Sequence, residues 1–227
     1  MGEIIFITGT DTGVGKTVFT SLLLSHLRRK NVRALAMKPF CTGTRSDVKL
    51  LQSLQPGDLS DEEMNPYFFP EPLAPLVAAR NVGQKIILNE VLEKIFSVKT
   101  RCETLLIEGV GGLMVPIGEN FLLRDLIANL NCNVILVGQD KLGTLNHCLM
   151  SIEVMQQIEN KLLAVILMER KKTALSSRSN RKILSEFAVS TPVFSIPFLK
   201  EKKHLVPGEK SPRKKIEKIL ASILTRV

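Results

Sequence analysis

A glycine-rich loop between an apolar run and an amphipathic segment constrains this sequence more than any other feature. The run Glu3–Thr8 predicts a β-strand, and the segment Thr17–Lys30 has apolar residues at helical spacing. The loop between them reads Gly9-Thr10-Asp11-Thr12-Gly13-Val14-Gly15-Lys16-Thr17. Glycines let successive backbone N–H groups turn toward phosphate oxygens, and a helix N-terminus adds positive potential. The order of strand, loop and helix therefore predicts a phosphate-binding P-loop.

The side chains of this loop have the chemistry that a nucleoside triphosphate requires. We expect Lys16 to reach the β- and γ-phosphates and the Thr17 hydroxyl to ligate Mg²⁺. Five residues separate Gly9 from Gly15 where the usual pattern has four, but Gly13 keeps the turn flexible. The predicted nucleotide contacts from this region are Gly13, Val14, Gly15, Lys16, Thr17 and Val18.

Strand-like and helix-like segments alternate along the rest of the chain. Further strands are predicted at Val32–Met37, Thr104–Ile107, Val134–Val137, Leu162–Met168 and Val193–Ser195. Helices are predicted at Asp47–Leu54, Asn89–Val98, Leu122–Leu130, Thr144–Asn160 and Ser177–Phe187. Several strands are continuous apolar runs, as in parallel sheets buried on both faces. We predict an α/β fold of the P-loop NTPase type in one domain over residues 1–227, with an open, mostly parallel sheet and helices on both faces. The proline-rich segment 66–75 is predicted to be a rigid loop.

Composition excludes several classes of protein. With 44% hydrophobic and 23% charged residues, the chain is globular rather than disordered. No apolar run reaches the roughly 18 residues of a membrane-spanning helix, and no leader is evident, so we expect a cytoplasmic protein without a membrane partner. The cysteines lack zinc-like spacing and are predicted to be reduced, buried thiols: Cys41, Cys102, Cys132 and Cys148.

The net charge of +9 is concentrated near one end of the chain. Residues 200–227 contain nine Lys/Arg and three Glu, which is two thirds of the excess, and no aromatic residue. The whole chain has no Trp and one Tyr, so it lacks the stacking platforms of single-strand nucleic-acid binders. We interpret this segment as a basic, partly helical tail and expect no nucleic-acid partner.

Charged residues follow two of the predicted strands, where ligands bind in open α/β sheets. Lys38 follows the second strand and could meet a γ-phosphate or an anionic intermediate. Glu108 follows the third strand, and Asp47 begins a helix. Together with Thr17, these two carboxylates predict a Mg²⁺ site completed by waters and phosphate oxygens. The glycines after Glu108 predict a close backbone approach to the nucleotide at Gly109, Val110 and Gly111.

These motifs occur together, in the same order, in a known family. Besides the P-loop, they are Lys38-Pro39 with Thr42-Gly43, Asn65-Pro66-Tyr67 through Glu71-Pro72, Glu108-Gly109-Val110-Gly111-Gly112, Lys141-Leu142-Gly143 through Asn146-His147, and Ile196-Pro197-Phe198-Leu199. From about residue 3 to residue 200 the chain resembles dethiobiotin synthetase. The basic tail lies outside the resemblance.

The resemblance implies an ATP-dependent ligase of biotin biosynthesis. Its substrates would be 7,8-diaminononanoate, CO₂ and MgATP, and its products dethiobiotin, ADP and phosphate. An amine would capture CO₂ as a carbamate, the carbamate would attack the γ-phosphate, and the second amine would close the ureido ring. Lys16 and Lys38 would be the catalytic cations. The resemblance further implies a homodimer, substrate contacts from Thr12, Thr42, Gly143 and Thr144, and nucleotide contacts from Glu169, Arg170, Pro197, Phe198 and Leu199.

The sequence departs from the family at two positions. Gly13 stands where the family often has Glu, which should leave phosphate binding intact. Glu169 stands where the family usually presents an Asn that reads the adenine edge. An ionised Glu only accepts hydrogen bonds, so it could bind the adenine amino group but could not donate to N7. We therefore expect weaker discrimination between ATP and other triphosphates.

Three alternatives remain open. Another amidoligase of the same superfamily, such as the cobyrinate type, usually carries a glutaminase domain, for which few residues remain here. A switch ATPase of the partitioning or septum-site type carries an extra lysine near the first glycine, where this chain has Thr10, Asp11 and Thr12. A catalytically silent homologue would lack phosphate, metal or carbamate residues, and none is missing.

Overall fold

The main sheet consists of six parallel strands. The computed structural model describes residues 3–172, 174–199 and 213–227. The strands are β1 (Glu3–Gly9), β2 (Ala34–Met37), β5 (Thr104–Gly112), β8 (Asn133–Gln139), β9 (Leu162–Met168) and β10 (Val193–Ile196). Their spatial order is β10-β9-β8-β1-β5-β2, with every neighbouring pair parallel. All six predicted strands and the predicted fold class are confirmed.

The glycine run after Glu108 belongs to a strand rather than to a loop. β5 was expected to end at Ile107 but continues to Gly112, because Gly112 still pairs with Gly9 of β1 beyond a shift in register. At the opposite boundary, Val32 and Arg33 precede β2 and are not part of it. The longer β5 extends alongside the end of β1, so the two strand ends that carry the predicted phosphate and metal residues are adjacent.

Helices cover both faces of the sheet. The predicted ones are α1 (Lys16–Arg29), α2 (Ser46–Ser53), α5 (Leu88–Lys99), α6 (Leu123–Leu130), α7 (Thr144–Gln156) and α8 (Asn180–Phe187). Two of their predicted boundaries were wrong: α7 ends at Gln156, and Ser177 lies in a separate 3-10 turn. Two short helices were not predicted, α3 (Asp61–Met64) and α4 (Pro75–Asn81).

The proline-rich segment contains a short strand where a loop was predicted. Residues Tyr67–Phe69 form β4, which pairs in parallel with β3 (Phe40–Thr42), and prolines flank β4 on both sides. The Gly43 N–H donates to the Phe69 carbonyl at 2.9 Å. This pairing fixes the backbone on both sides of Thr42. A small antiparallel pair, β6 (Pro116–Gly118) and β7 (Phe121–Leu122), follows β5.

The described part of the basic tail contains a helix, α9 (Arg213–Leu224). Its buried side chains recur at the i, i+3, i+4 and i+7 spacing of one helix face and join the main hydrophobic core: Ile216, Ile219, Leu220 and Ile223. Arg29 of α1 pairs with Glu217 at 3.4 Å. Residues 200–212 of the predicted tail lie outside the described residues. Among the helices that the structure describes, none combines the length and apolarity needed to cross a membrane. All four cysteines are buried free thiols, as predicted.

Replacing Leu220 with Ala should destabilise the whole fold, because Leu220 is fully buried on α9. We expect the free energy of unfolding to fall by about 2–5 kcal/mol, the usual effect of a buried Leu-to-Ala cavity. Urea titration followed by circular dichroism measures it. Lys218→Ala, at an exposed position of the same helix, should change stability by less than about 0.5 kcal/mol. Equal effects of the two substitutions would show that α9 does not contribute to the core.

Candidate active site

The P-loop connects β1 to α1 at the centre of the sheet. Gly13 and Gly15 have φ angles of 73° and 105°, in the left-handed region that favours glycine. A Cβ on Gly15 would lie 2.9 Å from the Met168 Cγ, so this position also lacks space for a side chain. α1 begins directly after Gly15, and its first-turn N–H groups therefore face the loop. This is the geometry of an anion site at a helix N-terminus.

Lys16 connects the P-loop to the end of β5. Its ammonium donates to the carbonyls of Asp11 at 2.8 Å and Gly111 at 2.9 Å. Lys16 is buried, and this burial, followed by repulsion from Lys38, lowers its pKa to about 8. The side chain thus has neutral acceptors in this state, and an anionic group in the loop would stabilise its charged form.

Lys38, Glu108, Asp47 and Thr17 form one polar cluster at the strand ends. The Lys38 Nζ lies 2.5 Å from the Glu108 Oε1 and 3.3 Å from the Asp47 Oδ2. The Thr17 hydroxyl donates to the Glu108 Oε1 at 2.7 Å. Burial by itself lowers the pKa of Lys38, but Glu108 and Asp47 outweigh burial and raise it above its usual value. Lys38 is therefore a fixed positive charge.

The backbone of Lys38 is fixed by the segment that follows α2. Its N–H donates to the Met64 carbonyl at 2.9 Å, and its carbonyl accepts from the Asn65 side chain at 2.9 Å. Asn65 is buried and its amide also lies within 3.4 Å of the Pro39 carbonyl. These bonds fix the Lys38 backbone and therefore the position from which its side chain extends. They also explain why the Asn65-Pro66-Tyr67 motif accompanies the lysine in the sequence.

A cavity of about 300 Å³ brings most of the predicted phosphate, metal and substrate residues together. The predicted residues that line this cavity are Thr12, Gly13, Gly15, Lys16, Thr17, Val18, Lys38, Thr42, Asp47, Glu108, Val110 and Gly111. The sequence analysis missed Cys41 and Thr44, which also line it. We call this the phosphate cavity.

A second cavity of about 500 Å³ continues from the other side of the P-loop to the ends of β9 and β10. It is lined by these predicted residues: Gly13, Val14, Gly15, Val18, Glu169, Arg170, Pro197, Phe198 and Leu199. The sequence analysis missed four others: Gln139, Met168, Lys171 and Lys172. Gln139 and Met168 end neighbouring strands, so the rule that ligands bind at strand ends could have found them. We call this the base cavity.

A third cavity of about 440 Å³ lies beside Thr10–Thr12, and the residues after Gly111 complete one wall. Its lining is mostly apolar, and two of its lining residues, Met114 and Met150, are 52% and 60% exposed. His147, from the motif that runs from Lys141 to His147, also lines it. We call this the outer cavity.

Three predicted residues do not line these cavities. Gly109 is enclosed by the core, where a Cβ would lie 2.9 Å from Phe6, so it serves close packing. Thr144 is buried with its hydroxyl 3.8 Å from the Cys148 sulfur, and its N–H donates to the Lys141 carbonyl. Gly143 precedes α7 with φ 88°. Gly143 and Thr144 are thus not among the residues that line the three cavities.

The metal prediction has a specific structural support. The Glu108 Oε2 is buried and has no hydrogen-bond partner among the described residues. A buried carboxylate oxygen without a partner is costly, and a divalent cation would satisfy it. Within the described ranges, however, no three His, Cys, Asp or Glu side chains cluster to hold a metal ion. A cation here would therefore depend on Thr17, Asp47, Glu108 and the ligands that the nucleotide and water provide.

Comparison with known proteins decides between the possible activities. A model of the family described as AAA domain matches residues 3–203. The chain is 34% identical to an ATP-dependent dethiobiotin synthetase of Bacillus velezensis, with 84% of each chain covered. It is 32% identical to one of Nitrosopumilus maritimus, covering 87% of this chain and 90% of that protein. The chain belongs to the dethiobiotin synthetase family. It is an ATP-dependent ligase of biotin biosynthesis.

Solved structures show how widely the fold of this dethiobiotin synthetase is shared. The cell division ATPase MinD of Pyrococcus furiosus superposes with a TM-score of 0.64 at 16% identity, with both chains fully covered. The pNOB8 ParA protein bound to nonspecific DNA gives 0.59 at 12% identity. Identities this low support the fold alone. The partitioning and septum-site ATPases thus have the same architecture as this chain. The fold alone therefore does not choose between the two activities, and the choice depends on the relatives that are 32–34% identical in sequence.

Gly15→Ala should damage the synthetase more than Gly13→Ala. Both positions have positive φ, but only at residue 15 would the new methyl group displace Met168, since nothing lies within 4 Å of a Cβ on Gly13. We expect Gly15→Ala to lower the free energy of unfolding by about 1–3 kcal/mol more than Gly13→Ala, the usual range for overpacking. Urea denaturation of both variants tests this. Indistinguishable midpoints would contradict the packing of the loop against β9.

Removing Lys38 should destabilise the protein because it leaves the buried Glu108 carboxylate without its cation. We expect Lys38→Ala to lower the free energy of unfolding by about 3–5 kcal/mol, as when one partner of a buried ion pair is removed. The double variant Lys38→Ala/Glu108→Gln should lose less, since no buried charge remains. Lys49→Ala, at an exposed position on α2, is the control. A double variant less stable than Lys38→Ala would disprove the charge argument.

Proposed function

We propose that this synthetase carboxylates 7,8-diaminononanoate with CO₂ and closes the ureido ring of dethiobiotin, converting ATP to ADP and phosphate. The observation that carries the proposal is the phosphate cavity, in which Lys16 and Lys38 lie with Thr12 and Thr42 next to Glu108. Two anions, the carbamate and the γ-phosphate, have to approach each other in this reaction. Fixed cations in a buried site reduce their repulsion far more than they would in water.

The two lysines have different roles in this proposal. Lys16, at the end of the P-loop, would bind the nucleotide phosphates, and their charge would stabilise the ammonium that burial disfavours. Lys38 would contact the carbamate and the γ-phosphate oxygens. A carbamate oxygen attacks the γ-phosphorus and ADP leaves. The second amine then attacks the carbamate carbon, phosphate leaves, and the ring closes. This chemistry needs positioning and charge rather than a side-chain nucleophile.

Mg²⁺ would be held by Thr17, Asp47 and Glu108, and it supplies charge neutralisation for the triphosphate when bound. The unpartnered Glu108 Oε2 supports this assignment. Lys38 contacts both carboxylates, so it keeps them in place before nucleotide binds. The Thr17 hydroxyl and the Lys38 ammonium both donate to the Glu108 Oε1. The bond to Glu108 orients the Thr17 hydroxyl beside the P-loop.

The outer cavity would receive the diamine chain, since Thr12 lines both this cavity and the phosphate cavity. Gly143 and Thr144 stay assigned to the distant carboxylate end by the family resemblance. A homodimer that covers the exposed Met114 and Met150 is also part of the proposal, because two exposed methionines beside a site favour an interface. The cytoplasm is the proposed location.

The decisive assay measures phosphate released from MgATP and bicarbonate with and without 7,8-diaminononanoate, and detects dethiobiotin by mass. We expect phosphate release to require the diamine and to equal the dethiobiotin formed. Hydrolysis that proceeds equally without the diamine, and without a product of that mass, would support a switch ATPase instead.

Lys38→Ala should abolish dethiobiotin formation while nucleotide binding is largely retained, since Lys16 and the P-loop glycines are unchanged. Turnover should fall by at least about 100-fold, as when an electrostatic stabiliser is removed. Because Lys38→Ala is also expected to be less stable, binding and turnover are compared below its unfolding midpoint. Near-normal turnover would remove Lys38 from the catalytic residues.

A further inference from the structure

A fourth cavity, of about 500 Å³, lies between the C-terminal end of α1 and the beginning of α9. Five cations and one histidine from the two helix ends line it: His26, Arg29, Lys30, Arg213, Lys214 and Lys218. The only carboxylate among its lining residues is Glu217. Because α1 has 14 residues, the P-loop at its other end is about 20 Å away. We call this cavity the basic groove, and it is separate from the nucleotide site.

A single carboxylate is shared by the two arginines of the basic groove. The Arg213 Nε donates to the Glu217 Oε1 at 2.9 Å, and the Arg29 Nη2 lies 3.4 Å from the same oxygen. The two arginine side chains are only 32% and 30% exposed, so they are packed in place rather than extended into solvent. Burial, followed by repulsion from Arg213, lowers the pKa of Arg29, although Glu217 opposes this shift. One carboxylate therefore does not compensate for the two guanidinium groups that it holds together.

The first turn of α9 adds positive charge where a helix is already positive. α9 begins with Arg213, Lys214 and Lys215, and its first turn has no acidic residue. The helix macrodipole favours anions at this end and disfavours cations. Residues 200–212, which precede α9 in the sequence, contain four lysines and two glutamates and so do not supply the missing negative charge. The beginning of α9 is thus arranged favourably only for an anion.

His26 provides an independent indication that the groove has room for a ligand. It is 5% exposed and lines the groove, and its ring forms no hydrogen bond with a described residue. Burial, followed by the charges of Arg29 and Lys30, lowers the pKa of His26. A buried imidazole without a partner is unfavourable, and an anion in the groove would accept a hydrogen bond from it.

We propose that the basic groove binds a small ligand that contains two or more linked phosphate groups. Each guanidinium is a planar fork of five donors, which matches phosphate oxygens in a bidentate manner, and lysines bind phosphate as point charges. A concave site of about 500 Å³ fits a small molecule with more than one phosphate group. Such a ligand would contact α1 and α9 together and would hold α9 against the core.

Calorimetric titration of the full chain with inorganic pyrophosphate, without Mg²⁺ or nucleotide, tests the proposal. Pyrophosphate also fits the P-loop, so the measured quantities are the number of binding equivalents and the Kd of each. In Arg213→Gln/Lys214→Gln we expect one equivalent to be lost or its Kd to rise at least roughly 100-fold. This is the effect of removing two hydrogen bonds from charged donors.

Lys94→Gln/Lys182→Gln provides the matched control, because it removes two positive charges from exposed positions on α5 and α8. It should bind pyrophosphate like the unaltered chain. Equal numbers of equivalents with equal affinities in the two double variants would overturn the proposal. A P-loop that binds no phosphate would lower the count equally in all three proteins, so failure of the proposed carboxylation leaves this comparison intact.

Nuclear magnetic resonance of the His26 ring protons locates the bound pyrophosphate. Their signals, identified by their absence from His26→Gln, should shift on titration of the Lys94→Gln/Lys182→Gln control and not of Arg213→Gln/Lys214→Gln. Unchanged His26 signals in the control would place the ligand elsewhere and contradict the proposal. Binding of a random-sequence DNA duplex or of anionic phospholipid vesicles through Arg213 and Lys214, without binding of pyrophosphate, would also overturn it.

Discussion

The buried Glu108 carboxylate is the constraint on which the site depends. Glu108 is completely buried at the end of a central strand, where an unpaired charge would be prohibitively costly. Its Oε1 is satisfied by Lys38 and Thr17, which belong to the ends of β2 and the start of α1. One carboxylate therefore fixes the relative positions of three segments. The Lys38 N–H donates to the Met64 carbonyl and the Asn65 amide donates to the Lys38 carbonyl, and these two bonds fix the Lys38 backbone.

The two lysines of the phosphate cavity have opposite electrostatic environments. Lys16 has carbonyl oxygens as partners, and its pKa falls to about 8, whereas Lys38 has carboxylates and its pKa rises. Lys38 is consequently charged whether or not a nucleotide is present. The charge of Lys16 is favoured most when phosphate is bound. The proposed reaction, which would assemble several anions in one cavity, would use both properties: a permanent cation, and a cation whose charge is stabilised by the substrate.

Local sequence signals predicted the parts of the structure that depend on neighbours along the chain. The apolar runs predicted the six strands, and the motifs around Lys16 predicted residues that line one common cavity. Contacts between distant segments left no such signal. The pairing of Phe40–Thr42 with Tyr67–Phe69 joins residues 27 apart, and prolines around it favoured a loop. Thr144 was assigned by the family resemblance, and the position of its side chain in the core beside Cys148 depends on the orientation of α7, which the sequence did not predict.

The phosphate and base cavities receive residues from opposite sides of β1. The P-loop between β1 and α1 lines both cavities, and its geometry is fixed by the centre of the sheet. Lys38 and Glu108 come from strands on one side of β1, while Glu169 and Phe198 follow strands on the other side. At the proposed nucleotide site, substitutions at the base end would therefore change nucleotide preference without disturbing Glu108 and its partners. The phosphate end contains the ion pairs of Lys38 with Glu108 and Asp47, so substitutions there are more destabilising. Substitutions are therefore least costly at the ends of β9 and β10.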